Sequence, residues 1–358
     1  DVGGGYLTPN NLGNSDLNPE RSTEGEAAVE AGLFGGRLGL EVVYFNQTTN
    51  DALLPIKPSA GSGFINSQLQ NLGQLKSWGI EISTNTRLIE REGLSVDLTV
   101  NPTYLKQWVS DMGGVADFRL GSRRRWQSLH QGMWPGIWIA PIADPNQPYK
   151  TTVPVDQITS INQISSNTLK NAAGGDSLVV IGIPQPNKMI DFGAVVRVGP
   201  LTIQNVFEGA AGFVQSNETL HLRMALKSNK LMAEVQKAVA DPTTDPATKA
   251  RLVDEYGRKH NGIISNTIFD GDYLRWAELS VAYRLPESFT SSFGSSGTTV
   301  SLGVKNVWVF SDYFNDFKLG WIDPGTRGLE ANNAFLQNVD YLKTPTPRRF
   351  VLSIRTQF

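Results

Sequence analysis

Apolar and polar side chains alternate along this chain with a period of two, the pattern of extended strands whose two faces meet different surroundings. The last stretch, PTPRRFVLSIRTQF, shows it: Phe350, Leu352, Ile354, Thr356 and Phe358 share one side, and Arg349, Val351, Ser353, Arg355 and Gln357 the other. The plan recurs upstream. Leu38, Leu40, Val42 and Tyr44 oppose Arg37, Gly39 and Glu41, while Trp78, Ile80, Ile82 and Leu88 oppose Glu81, Ser83, Asn85 and Arg87. Leu94, Val96, Leu98 and Val100 alternate with Ser95, Asp97, Thr99 and Asn101. Further apolar faces are Ile190 to Val198, Leu201 with Ile203 and Phe207 (broken by Asn205), Ala277 to Leu285, and Val300 to Phe310. With Ser22 to Phe34, nine strands are predicted.

Their connections alternate between short and long. Gly35-Gly36, Glu92-Gly93, Gly199-Pro200 and the segment PESFTSSFGSSG supply tight or modest turns, where glycine accepts the positive φ that hairpins demand. Residues 1–20, 48–72, 109–188, 214–271 and 311–347 are predicted as long loops, all at the same ends of the strands. Helix is expected inside the fourth, over Leu222 to Val239 and again where Asp245 caps, Pro246 begins and Gly257 lies near the end. Strands longer than the usual five or six residues, short turns on one side and long loops on the other describe a membrane barrel. A soluble sandwich has no reason to sort its connections this way. The fold class predicted is therefore all-β, an antiparallel transmembrane β-barrel segment with periplasmic turns and extracellular loops, and its closing strand ends on Phe358.

Composition agrees and excludes other classes. No run approaches the roughly 18 consecutive apolar residues of a membrane helix. A mean hydropathy of -0.23 still permits a barrel, because only alternate residues face hydrocarbon. Gly 35 and Pro 19 favour turns, Cys 0 rules out a disulfide framework, and a formal charge of -2 leaves no footprint for nucleic acid. The sequence begins at Asp1 without Met or an apolar leader, as expected of a mature product or a fragment.

Candidate chemistry is sparse. His130, His221 and His260 fall in predicted loops at spacings that suit neither zinc nor a triad, so no metal, cofactor or catalytic role is assigned. The GSSG at Gly294 reads as a turn rather than a nucleophile elbow, and Arg123, Arg124 and Arg125 as a solvated loop or lipopolysaccharide contact. Trp126, Trp134, Trp138 and Trp321 lie in predicted loops, where indoles stack on ligand faces or simply pack against other loops. Trp78 and Trp308, on apolar strand faces, suit an interfacial aromatic girdle. Glu41, Glu81, Asp97 and Glu278 with Arg87, Arg197 and Arg284 face inward, to line a substrate path, to meet a plug or to pair across strands.

Several stretches resemble the SusC/RagA-type TonB-dependent transporters. LNPERSTEGEAAVEAGLFGGRLGLEVVYFNQTTNDAL from Leu17 resembles a strand, turn and strand following an external loop, and NLGQLKSWGIEISTNTRLI from Asn71 resembles the next strand. GDYLRWAELSVAYRLP, VSLGVKNVWVFSDY and TPRRFVLSIRTQF resemble the last three strands. The resemblance implies a Gram-negative outer-membrane barrel of about 22 strands filled by a plug, driven by TonB, often covered by a SusD-like lipoprotein, and taking up glycans or peptides. It also implies that the terminal strand ending in Phe358 is read by the barrel-assembly machinery. The plug, the TonB-contacting segment and the remaining strands are not represented in these residues. Other readings are a non-transporting outer-membrane adhesin or structural protein, and a soluble all-β carbohydrate-binding domain.

Overall fold

In the computed structural model, residues 13–56, 60–64, 66–120, 126–226, 228, 230–259, 262–314, 323–325, 339–341 and 343–358 are described. Nine long strands form one antiparallel sheet in which each strand pairs with its neighbour in the sequence: β1 Arg21–Leu33, β2 Leu38–Ile56, β3 Gln68–Arg91, β4 Leu94–Asp111, β5 Lys188–Val198, β6 Leu201–Ala211, β7 Tyr273–Arg284, β8 Gly297–Phe310 and β9 Arg349–Gln357. At the β1–β2 turn Gly35 and Gly36 have φ of 67° and 85°, and the Gly36 N–H donates to the Leu33 carbonyl at 3.1 Å. A Cβ there would be strained.

The pairing register puts the apolar positions on one face. Leu40 lies between Ala31 and Thr84, Leu98 between Thr86 and Ala194, and Val281 between Ile203 and Leu302. Val29, Leu302, Phe350, Leu352 and Ile354 on this face are all exposed. A wall of large apolar side chains facing outward on nine consecutive strands far exceeds the apolar patches of soluble monomers. Asn205 interrupts it between Ala194 and Leu279, and nothing in the structure explains that residue.

Two bulges correct the expected faces. The register shifts between Arg87 and Ile89, so Ile89 rather than Leu88 stands opposite Val96. It shifts again between Trp276 and Glu278, which removes Ala277 from the outward row and puts Trp276 there, between Phe207 and Trp308. One extra residue inverts the parity of everything beyond it.

Strand ends differ too. β2 runs on to Ile56 and β3 starts at Gln68, so residues 48–56 and 68–72 are strand rather than loop. The cause is a kink at Asp51, φ 56°, where the register shifts and the simple alternation is lost. Likewise β4 extends to Asp111.

The long excursions pack on one another at one end of the sheet and hold most of the buried apolar core. Residues 112–187, expected to be irregular, contain a four-stranded sheet ordered Leu178–Gly182, Ile137–Pro141, Gln127–Leu129, Phe118–Arg119. The next excursion holds α1 Glu218–Ala225, α2 Lys230–Ala240 and α3 Pro246–Lys259. α3 is capped as its sequence predicts, the Thr248 N–H donating to Asp245 at 2.8 Å. Gly257 serves a different purpose from ending the helix, because a Cβ there would meet the Tyr149 ring. α2 and α3 bury Val235, Val239 and Val253 against Ile158 and Ile161. Val214–Asn217 joins Ile268–Asp270 and, in parallel, Val339–Asp340, tying three distant segments into one cap.

Candidate functional site

The inward face of the sheet is as polar as the outward face is apolar. Asp97 is gripped from both sides: Arg87 Nε donates to Oδ1 at 3.0 Å, and Arg197 donates to Oδ2 at 2.6 Å. Arg87 also reaches Glu90 at 3.1 Å, Lys305 lies 3.8 Å from Glu278, and Arg284 lies 3.7 Å from Glu287. Of the expected inward charges, these therefore pair across or along strands or, for Arg284, with the turn that follows its strand. Glu41 faces inward opposite Glu30 and Ser83, and Glu81 opposite Val43 and Thr103, on a sector of β1–β3 that also carries Glu24 and Glu26. Charges on this scale survive next to lipid only if they point away from it, into a watery or plugged interior.

Where the inward face meets the cap sits a group that the strand pattern alone did not reveal. Arg275 of β7 is 6% exposed and donates to both carboxylate oxygens of Asp323, at 3.1 and 2.5 Å. Its Nε is 2.8 Å from Glu208 Oε1, off the N–H axis. Burial acts to raise the Asp323 carboxyl, but the Arg275 hydrogen bonds and charge overcome it and hold the group below its ordinary range. This fork-to-carboxylate clamp pins Asp323, in the described stretch 323–325, to the barrel wall. Spacing gives no hint of it, since the partners are 48 residues apart.

The structure redistributes the predicted tryptophans. Trp138 is fully buried and Trp134 is 6% exposed, so both are interior side chains of the cap and do not present their faces to a ligand. Trp138 packs with Ile264, Ile268 and Val339. Trp126 is half-buried and holds the Arg119 guanidinium 4.5 Å above its ring. Trp321 lies outside the described residues, as do Arg123 to Arg125 and His260. His130 bonds Asp117 at 2.8 Å and His221 is half-buried in α1. Among the described residues no three His, Asp or Glu side chains are grouped to hold a metal.

Aromatic residues do gather on the outward face. Phe192 stacks on Phe207 at 4.8 Å and Phe207 on Trp276 at 5.6 Å, and Trp308 continues the row. Nearer the cap Trp78 stands between Tyr44, at 6.3 Å, and Tyr104, at 5.4 Å. At the turn end, the GSSG segment is a clasp. The Ser295 hydroxyl, the Ser296 N–H and the Ser296 hydroxyl all donate to the Gln357 carbonyl, at 2.9, 2.8 and 3.1 Å, immediately before the 86% exposed Phe358. Its role as a turn was legible from sequence, but its grip on the terminal strand was not.

An antiparallel sheet with an apolar, aromatic-banded outside, a charged inside, tight turns at one end and a packed cap at the other is the wall of an outer-membrane β-barrel. Comparison with known proteins makes the class specific. Residues 2–140 match the family described as TonB dependent receptor-like, beta-barrel. The TonB-dependent receptor P26 of Formosa agariphila is 26% identical over 98% of this chain and 36% of its own length. The TonB-dependent receptor SusC of Bacteroides thetaiotaomicron is 28% identical over 29% of the chain and 10% of its own length. A chain of the RagAB peptide transporter shares the fold, with a TM-score of 0.71, 18% identity, and coverage of 96% of this chain and 36% of that one. The chain is similar over nearly its whole length to TonB-dependent receptors and shares the RagA-type fold, that of β-barrel proteins of the Gram-negative outer membrane. It spans about a third of the length of the relatives that it matches from end to end.

Proposed function

We propose that this chain is the C-terminal barrel part of a transporter that takes up an oligomeric nutrient, a glycan or a peptide, across the outer membrane with energy from TonB. The observation that carries the reading is the match of fold over 96% of the chain to a transporter barrel. The two-faced wall supports it, since a charged, hydrated inside serves passage of a polar solute. β1 and β9 each pair on one side only among the described residues. An open edge in hydrocarbon costs several kcal/mol for each unsatisfied backbone group, so the rest of the barrel must supply strands to both. A plug would fill the lumen and meet the inward carboxylates Glu24, Glu26, Glu30, Glu41 and Glu81 of β1–β3, and TonB would act through the plug's segment. On this reading the cap built from the long excursions lies outside the cell, where a SusD-like lipoprotein would close over it. Of the tryptophans predicted to meet ligand, the half-buried Trp126, packed at the edge of the Trp138 cluster, is the one this reading keeps. Phe358 would lie at the periplasmic rim and serve assembly. The Asp and Arg groups described act as wall and clamp, and no catalytic step is assigned to them.

The test is uptake of labelled oligosaccharides and oligopeptides by cells with the gene intact, with the gene deleted, and with TonB deleted. Loss of accumulation of one class in both deletions is expected. Undiminished uptake in both would refute transport. Surface binding that needs the gene but never leads to accumulation would favour an adhesin.

A further inference from the structure

We infer that the outward wall of this barrel carries a built site for a phosphate-bearing glycolipid of the lipid A class, formed by Lys76, Lys106 and Lys188 above an apolar groove. From the tight turns up to the level of these lysines, no Asp or Glu faces outward in the paired register. The lysines are on the adjacent strands β3, β4 and β5. Lys106 stands opposite Trp78, Lys76 opposite Trp108, and Lys188 opposite Tyr104, so successive lysines are diagonal neighbours. Diagonals of about 7 Å each put all three within roughly 15 Å, room for a headgroup with more than one phosphate. None of them is in an ion pair among the described residues, and Lys106 Nζ sits 5.8 Å from the Trp108 ring. The next carboxylate along the ladder, Asp111, is opposite Gln74, one step nearer the cap, and accepts the Gly113 N–H at 2.9 Å.

Directly below lies a cavity of about 560 Å³ whose lining includes Lys188, Tyr104, Pro102, Ile190, Gly209 and Leu274. It exists because β6 presents Gly209 and Ala211 where its neighbours present Ile190, Lys188 and Leu274. Missing side chains in one strand leave a trough along the wall. Cations at the headgroup level, an aromatic collar and an apolar trough beneath them match a lipid with anionic head and acyl tail. The proposal rests on the cap end of the barrel being extracellular, since this lipid occupies the outer leaflet.

The experiment is native mass spectrometry of the full-length receptor released from nanodiscs of phosphatidylethanolamine doped with monophosphoryl lipid A, phosphatidylglycerol or neither. Three lysines near a headgroup are each worth about a fivefold factor, so the triple variant Lys76→Gln/Lys106→Gln/Lys188→Gln should lose retained lipid A by about a hundredfold. Arg91→Gln, at the turn end of the same face, should lose none. Ala211→Leu, which fills the trough, should also lower retention with the lysines intact. If the triple variant assembles poorly, Lys188→Gln alone should lower retention about fivefold. Equal retention by wild type and lysine variants overturns the proposal, as does retention of phosphatidylglycerol equal to lipid A, or displacement of lipid A by inorganic phosphate. Failure of the sidedness reading is told apart by a cysteine introduced at Gly174, compared with the same receptor lacking it. Labelling there by an impermeant maleimide on intact cells is expected, and labelling only after permeabilisation overturns the topology.

Discussion

Replacing Leu98 by arginine should measure the environment of the outward face directly. On β4 the outward series runs Leu94, Val96, Leu98, Val100, Pro102, Tyr104 and then Lys106. Ten residue steps from Leu94 to Tyr104, at about 3.4 Å each and inclined near 45°, rise roughly 24 Å, the height of the apolar band of an outer-membrane barrel. The midplane then falls between Leu98 and Val100. Arginine there should cost about 2–4 kcal/mol, while at Leu94 near the rim it should cost about 0–1 kcal/mol. Ser95 faces inward opposite Arg197, so Ser95→Arg reports the watery side. The assay is reversible urea unfolding of the full-length barrel in phospholipid vesicles, followed by heat-modifiable mobility. A cost that peaks at Leu98 and Val100 on one parity alone is expected. Equal costs for Leu98→Arg and Ser95→Arg, or a flat profile from Leu94 to Val100, would refute the assigned faces or the lipid environment.

Arg275→Met should leave Asp323 as an uncompensated buried charge and weaken docking of the last excursion by about 3–5 kcal/mol, read as new protease cleavage near residues 323–325 with the barrel still folded; unchanged cleavage would show the clamp to be dispensable. Asp340, buried on the strand Val339–Asp340, is raised by that burial to about 6, against the pull of Lys343. A raised folded value means the cap is most stable below the ordinary carboxylate range and loses up to roughly 3 kcal/mol as pH climbs from there through about 6. Hydrogen exchange at 214–217 should therefore quicken from pH 5 to pH 7 beyond its intrinsic rate, and Asp340→Asn should abolish that excess. Deleting Phe358, or adding a charged tail after it, should lower membrane-inserted receptor far more than deleting Gly61; equal yields would leave Phe358 as the end of a strand and nothing more.

The two faces, the nine strands and the tight turns were written in the sequence, because side-chain alternation and the φ of glycine are local properties of the backbone. Phe350, Leu352 and Ile354 share a face whatever surrounds them. Parity across a bulge is not local in that sense. Whether Leu88 or Ile89, Ala277 or Trp276, points outward depends on which hydrogen bonds the partner strand offers. The reach of β2 and β3 past Asp51 was decided the same way, by pairing that sustains a strand after its alternation fails. The tryptophans depended on tertiary structure most of all. An indole in a predicted loop has the same sequence signature whether it meets a ligand or a core, and only the packing of segments far apart in the chain buried Trp138 beneath Val339 and Ile264. The Arg275–Asp323 clamp was hidden for the same reason: a salt bridge between residues 48 apart leaves no periodic trace, and it forms only once folding has brought the strand and the excursion together.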